Sequence, residues 1–106
     1  MKEEKLLKLL QKKRGFFEAI LELSESESHL AIPEWISLLE QKKILLSCVD
    51  EIDEELSPFK ASLHSLSQEL CDEMDQIRNV VEKILHLDKQ NQTKRREELS
   101  LLKKST

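Results

Sequence analysis

The stretch that decides the fold is residues 57–88, SPFKASLHSLSQELCDEMDQIRNVVEKILHLD. Phe59, Leu63, Leu66, Leu70, Ile77, Val80, Ile84 and Leu87 recur at heptad spacing, which keeps one side of an α-helix turned toward a partner. Only the Glu73 position interrupts the stripe, and Met74 stands beside it as a substitute. Ser57 and Pro58 read as an N-cap and first-turn pair, and no Pro or Gly follows them. A third helix is therefore expected over 58–88. Beyond it the segment from Asp88 to Glu98 is almost wholly polar, and Leu99, Leu101 and Leu102 return as an isolated cluster. The switch predicts a packing surface followed by a polar C-terminal extension, 89–106, that projects past it.

Two shorter helices precede this one. Leu6, Leu9, Leu10, Phe16, Phe17, Ile20 and Leu23 form an amphipathic stripe over about 3–29, with Lys13 and Glu27 falling on the same side. Gly15 costs about 1 kcal/mol inside such a helix, and a close helix crossing beside Phe16 and Phe17 would explain it. The alternating Ser24-Glu25-Ser26-Glu27-Ser28 favours fraying, so the helix should stop between there and Ala31. Pro33 suits a first helical turn, and Glu34 adds charge where a helix N-terminus favours it. A second helix over 33–56 follows, with Trp35, Leu38, Leu39, Leu45, Leu46, Val49, Ile52 and Leu56 on a stripe broad enough to want two neighbours.

Lengths then set the architecture. The first two helices would span roughly 36 to 40 Å, whereas a continuous helix from Pro58 to Leu102 would run about 67 Å. The tight turn at Ser57 makes helices two and three antiparallel. The fold class expected is all-α: an antiparallel three-helix bundle, or helical hairpin with a long C-terminal helix, the latter either continuous or broken into a fourth short helix. All of it lies in a single domain over residues 1–106.

Composition agrees with that class. Among 106 residues there is one Gly, two Pro and no Tyr, with 36% charged and 4% aromatic residues, a balance that starves sheets and tight turns. The apolar fraction of 39% is high enough to build one core. No apolar run is long enough to span a bilayer, and the start, Met1-Lys2-Glu3-Glu4-Lys5, carries acidic residues where a signal peptide would be basic. Cys48 and Cys71 sit inside helical patterns, as free thiols would in a reducing compartment, so a cytoplasmic location is expected.

Little in the sequence suggests catalysis. His29, His64 and His86 are far apart, and none forms the His-Glu-x-x-His spacing of a helical zinc site. Cys48 and Cys71 would not face each other across the expected hairpin. The acidic groups Glu51, Asp53, Glu54 and Glu55, and Asp72, Glu73 and Asp75, lack the turn residue that a calcium loop needs and read as solvated faces. No enzyme activity, cofactor or metal is expected. Net charge is −4, so nucleic-acid binding would rest on Lys94, Arg95 and Arg96, which Glu97 and Glu98 follow at once. Trp35 reads as a plug at one end of the bundle, with an exposed binding anchor as the alternative.

The middle of the chain resembles the flagellar and type III secretion chaperones of the FliT and FlgN kind. The resemblance lies in Phe16-Phe17-Glu18-Ala19-Ile20-Leu21-Glu22-Leu23-Ser24, in Pro33-Glu34-Trp35-Ile36-Ser37-Leu38-Leu39-Glu40-Gln41-Lys42-Lys43-Ile44-Leu45-Leu46, and in Ile77, Val80, Val81, Ile84, Leu85, Leu87, Asp88 and Asn91 of the last helix. It covers about residues 16–99 and is one of spacing. It implies a small cytoplasmic chaperone without a cofactor, which binds an amphipathic helix of a secreted filament or cap protein, prevents premature assembly and contacts the export apparatus. The positions it assigns to the partner are Ile77, Val81, Ile84 and Leu85 for a groove, with Leu99, Leu101 and Leu102 as a movable cover. This chain departs from the family in its shortness, its serine-rich connector and its basic tail.

The pattern itself leads to a related expectation: apolar surface on a helix longer than its neighbours must be buried by self-association, by folding back or by another protein's helix. One reading is a chaperone or adaptor with a helix-binding groove. The alternative is a structural coiled-coil subunit, a homo- or hetero-oligomer that releases no client, in which Asn91 at a core-type position fixes the register of a homodimer.

Overall fold

The computed structural model describes residues 2–59 and 67–104, and their side chains over 3–59 and 67–101. Three helices follow in order, α1 (Lys2–Glu27), α2 (Ile32–Leu56) and α3 (Gln68–Lys104), with no strand among the described residues. The chain is an all-α three-helix bundle, as its periodicity predicts. It measures 62 × 20 × 19 Å.

α1 is the central rod. α2 runs antiparallel to it, since Lys13 pairs with Asp53 at 2.6 Å at one end while Glu27 bonds Trp35 at 2.8 Å at the other. α3 runs parallel to α1, because Arg14 meets Glu73 at 2.9 Å and Ser24 meets Asp88 at 3.2 Å. α2 and α3 are consequently antiparallel, and both pack against α1 far more closely than against each other. A furrow therefore runs between them, floored by α1.

Local chemistry explains the ends. α1 stops after Glu27, where His29 N donates to Ser26 O and Leu30 N to Glu27 O, a single closing turn. Pro33 occupies the first turn of α2, and the Glu34 carboxylate accepts from Ala31 N at 3.4 Å, which is half of a capping box. α3 starts later than the sequence suggests. Ser57–Phe59 form one 3-10 turn, and the helix is capped by Ser67, whose hydroxyl accepts from Leu70 N. The expected start at Pro58 is thus corrected to Gln68; Leu63, His64 and Leu66 lie outside the described residues. α3 then continues unbroken to Lys104, so among the described residues there is no fourth helix and no fold-back.

One apolar cluster, Leu6, Leu10 and Leu70, is covered by Leu7, Leu56, Phe59, Met74 and Ile77. Farther along lie Ile20, Leu38, Val49, Ile52 and Ile84, all buried. Each such side chain contributes on the order of 1.5–3 kcal/mol by leaving water. Glu73, the interruption in the α3 stripe, is buried too, held by the Arg14 ion pair. Gly15 is not at a crossing: a Cβ built there would meet nothing within 4 Å.

Candidate functional site

The apolar core gives way, at the end of the bundle where α1 meets α2, to a layer of polar side chains. Ser24 (1% exposed), Glu27, Lys42, Asn91 and Arg95 are all buried there. They reach this layer because they sit on the same helical faces as the leucines before them: Ser24 and Glu27 continue the stripe of Ile20, and Asn91 and Arg95 continue that of Ile84.

Every member has a partner. The Trp35 Nε1–H donates to Glu27 Oε1 at 2.8 Å, and the Asn91 amide donates to Glu27 Oε2 and to Ser24 O, the latter at 3.1 Å. Lys42 Nζ lies 2.8 Å from Asp88 Oδ1 and 3.9 Å from Glu27 Oε2. Arg95 donates from Nη2 to the main-chain oxygens of Glu27 and Leu30, each at 2.7 Å, and from Nη1 to Glu98 at 2.9 Å. Its guanidinium also lies 5.1 Å from the centre of the Trp35 ring. α1 carries no basic residue in its last turn, so its C-terminal carbonyls take their cation from α3.

This layer overturns the picture of a free polar extension. Asn91, Lys94 and Arg95 bond to α1 and the connector after it, so the expected overhang is tied to the bundle as far as Arg95. Two residues of the basic run are bonded internally as well: Arg95 is buried and Lys94 Nζ donates to Ser28 O at 2.7 Å, while Arg96 is exposed. Asn91 fixes register, but of α3 against α1 in its own chain.

A cavity of about 230 Å³ opens from this layer into the furrow, lined by Glu27, Trp35, Leu39, Lys42, Asp88, Asn91, Gln92 and Arg95. Trp35 is half-buried, part plug and part wall. One heptad along α2 from Leu39 lies Leu46, 47% exposed, and one heptad back along α3 from Gln92 lies Leu85, 63% exposed. The Lys42–Asp88 bond sets the register of these antiparallel helices, so Leu46 and Leu85 flank the furrow opposite each other.

The residues assigned to the partner divide accordingly. Leu85 remains on the furrow, and Val81 is half-buried nearby. Ile84, 7% exposed, is core rather than groove, and Ile77 packs on the Leu6, Leu10 and Leu70 cluster. Leu99 and Leu101 are exposed on the distal part of α3, carried outward by a continuous helix rather than folded over the furrow, and the Leu102 side chain lies outside the described residues. The α2 wall, Trp35, Leu39 and Leu46, is missing from the sequence-based assignment, although Leu39 and Leu46 sit at i and i+7 of the broad α2 stripe.

Among the described residues no group of three metal-ligating side chains gathers, and no helix is long and apolar enough to cross a membrane. Both cysteines are free. Comparison with models of protein families, with curated proteins and with solved structures finds no match. Fold and site define the class directly: a three-helix bundle with a part-apolar furrow between its second and third helices.

Proposed function

We propose that the chain is a chaperone or adaptor that holds an amphipathic helix of another protein in the furrow between α2 and α3. The observation that carries this reading is the row of leucines left in water on both walls, Leu39 and Leu46 facing Leu85, beside a cavity already shaped by Trp35. A further apolar rod laid there would cover the sides of α2 and α3 that α1 leaves open, and helix-in-groove recognition uses anchors at this spacing. The resemblance to export chaperones makes the terminal helix of a secreted filament or cap protein, kept unassembled in the cytoplasm until export, the client to try first.

The test compares Leu39→Asp and Leu85→Asp with Ile44→Asp, an exposed apolar position on another side of α2. Binding of secreted filament-protein helices, by titration calorimetry, should fall at least about tenfold for the first two and stay within about twofold for the third. Equal loss in all three would contradict the reading. A shortened chain ending at Glu98 keeps Arg95 and its partner, and should bind as the full chain does. The alternative, a structural subunit that pairs with its own copy, predicts instead a dimer that these helices do not disturb.

A further inference from the structure

The furrow is not uniformly apolar along its length, and its alternation has a chemical consequence for whatever lies in it. At one station Trp35 and Leu39 wall the cavity. Three residues on along α2, Lys42 Nζ bridges to Asp88 Oδ1 across the furrow at 2.8 Å. Four residues farther, Leu46 and Leu85 stand exposed on opposite walls. Leu39 and Leu46 are seven residues apart, about 10.5 Å along the axis.

The middle station is polar and unfinished. The Lys42 ammonium carries three donors, of which one is directed at Asp88, with Glu27 Oε2 3.9 Å away. Ser24 and Lys42 both bond Oδ1 of Asp88, which leaves Oδ2 without a partner among the described residues on a side chain still 33% exposed. An apolar side chain laid over this pair would strip the remaining water from the Asp88 carboxylate beside the buried Lys42 and return nothing. A neutral amide would accept from Lys42 and donate to Asp88. Glu27 and Asp88 are balanced by Lys42 and Arg95, so the cavity calls for no net charge on the occupant.

We infer that the furrow selects a partner helix by a fixed pattern. It takes a large apolar side chain against Trp35 and Leu39 and a second seven residues away between Leu46 and Leu85, with Asn or Gln three or four residues from the first, over the Lys42–Asp88 pair. This rests on the helix-binding reading above and adds the sequence that reading leaves open. The polar station works by exclusion, because a helix with an unbroken apolar stripe buries the ion pair uncompensated.

The experiment is selection from a displayed library of sixteen-residue helical peptides, randomised at four positions, i, i+3, i+4 and i+7 on one face, against the full chain. The expected result is enrichment of Leu, Met or Phe at i and i+7 with Asn or Gln at i+3 or i+4, lost when the target carries Leu39→Asp or Leu85→Asp. Replacing that Gln by Leu in a selected peptide should weaken binding about tenfold. A target carrying Lys42→Met with Asp88→Leu should reverse the preference. The unaltered chain's own selection stands as the test if that variant fails to fold. Enrichment of an unbroken apolar stripe, still lost with Leu39→Asp, would overturn this inference and leave the groove intact. Failure to enrich any peptide, or enrichment indifferent to both leucine variants, would overturn the groove as well.

Discussion

The side chain of Arg95 closes the end of α1: its Nη2 donates to the main-chain oxygen of Glu27 at 2.7 Å, from a residue only 6% exposed. The bond does for α1 what a basic residue in its own last turn would do, and it ties the distal half of α3 to the bundle. Arg95→Ala should cost about 2–4 kcal/mol, since it removes charge-assisted bonds to the Glu27 and Leu30 oxygens and the contact with the Trp35 ring. Arg96→Ala, exposed one position along, should stay within about 0.5 kcal/mol. Urea unfolding followed by the emission of Trp35, the single tryptophan, measures both. Equal effects would deny Arg95 this role.

Asn91 gives a comparison of signs. Its amide donates to Ser24 O and to the Glu27 carboxylate. Asn91→Leu should destabilise by about 1–3 kcal/mol through the unpaired acceptors it leaves. Asn91→Asp should cost more, because it sets a second carboxylate against Glu27 where a donor is required. Thermal unfolding of the two variants at neutral pH ranks them, and the opposite order would contradict the network.

Ile84 and Leu85 are neighbours in sequence and opposites in environment, 7% and 63% exposed. Ile84→Asp should lower stability by about 3 kcal/mol or more, enough to unfold a marginal bundle. Leu85→Asp should leave the unfolding midpoint nearly unchanged. Circular dichroism against urea separates them.

Gly15 lies in the middle of α1 with open space where a Cβ would be. Gly15→Ala should therefore stabilise the chain by about 0.5–1 kcal/mol, read as a raised melting temperature. A loss of stability would mean that a neighbour approaches there after all.

How much of this was legible in the sequence follows from what periodicity can and cannot carry. The three helices and their apolar faces came directly from it, as did the stop at Glu27 to within two residues. The start of α3 did not. Phe59, Leu63, Leu66 and Leu70 keep a helical step across the Ser57–Pro58 and Ser67 signals alike, so spacing favours one long helix while the cap favours a later start; Ser67 ahead of Gln68, Glu69 and Leu70 was the readable cue. The polar layer was hidden for a different reason. Glu27, Asn91 and Arg95 lie on the right faces, but a charge on a stripe looks like the end of packing unless its partner is known. The partners lie 64 to 68 residues away in sequence. The furrow needed the same register: nothing in α2 alone says that Leu39 and Leu46 face α3 rather than α1.

Whether another protein's helix lies in the furrow between α2 and α3 is tested most directly by site-specific photocrosslinking. A photoreactive phenylalanine analogue placed at position 39, 46 or 85 of the full chain should capture one and the same helical segment of one partner in a lysate of the source cells. The same analogue at position 44 should capture nothing in common with them. Capture at 44 equal to that at 85, or adducts at 85 consisting only of a second copy of this chain, would contradict it.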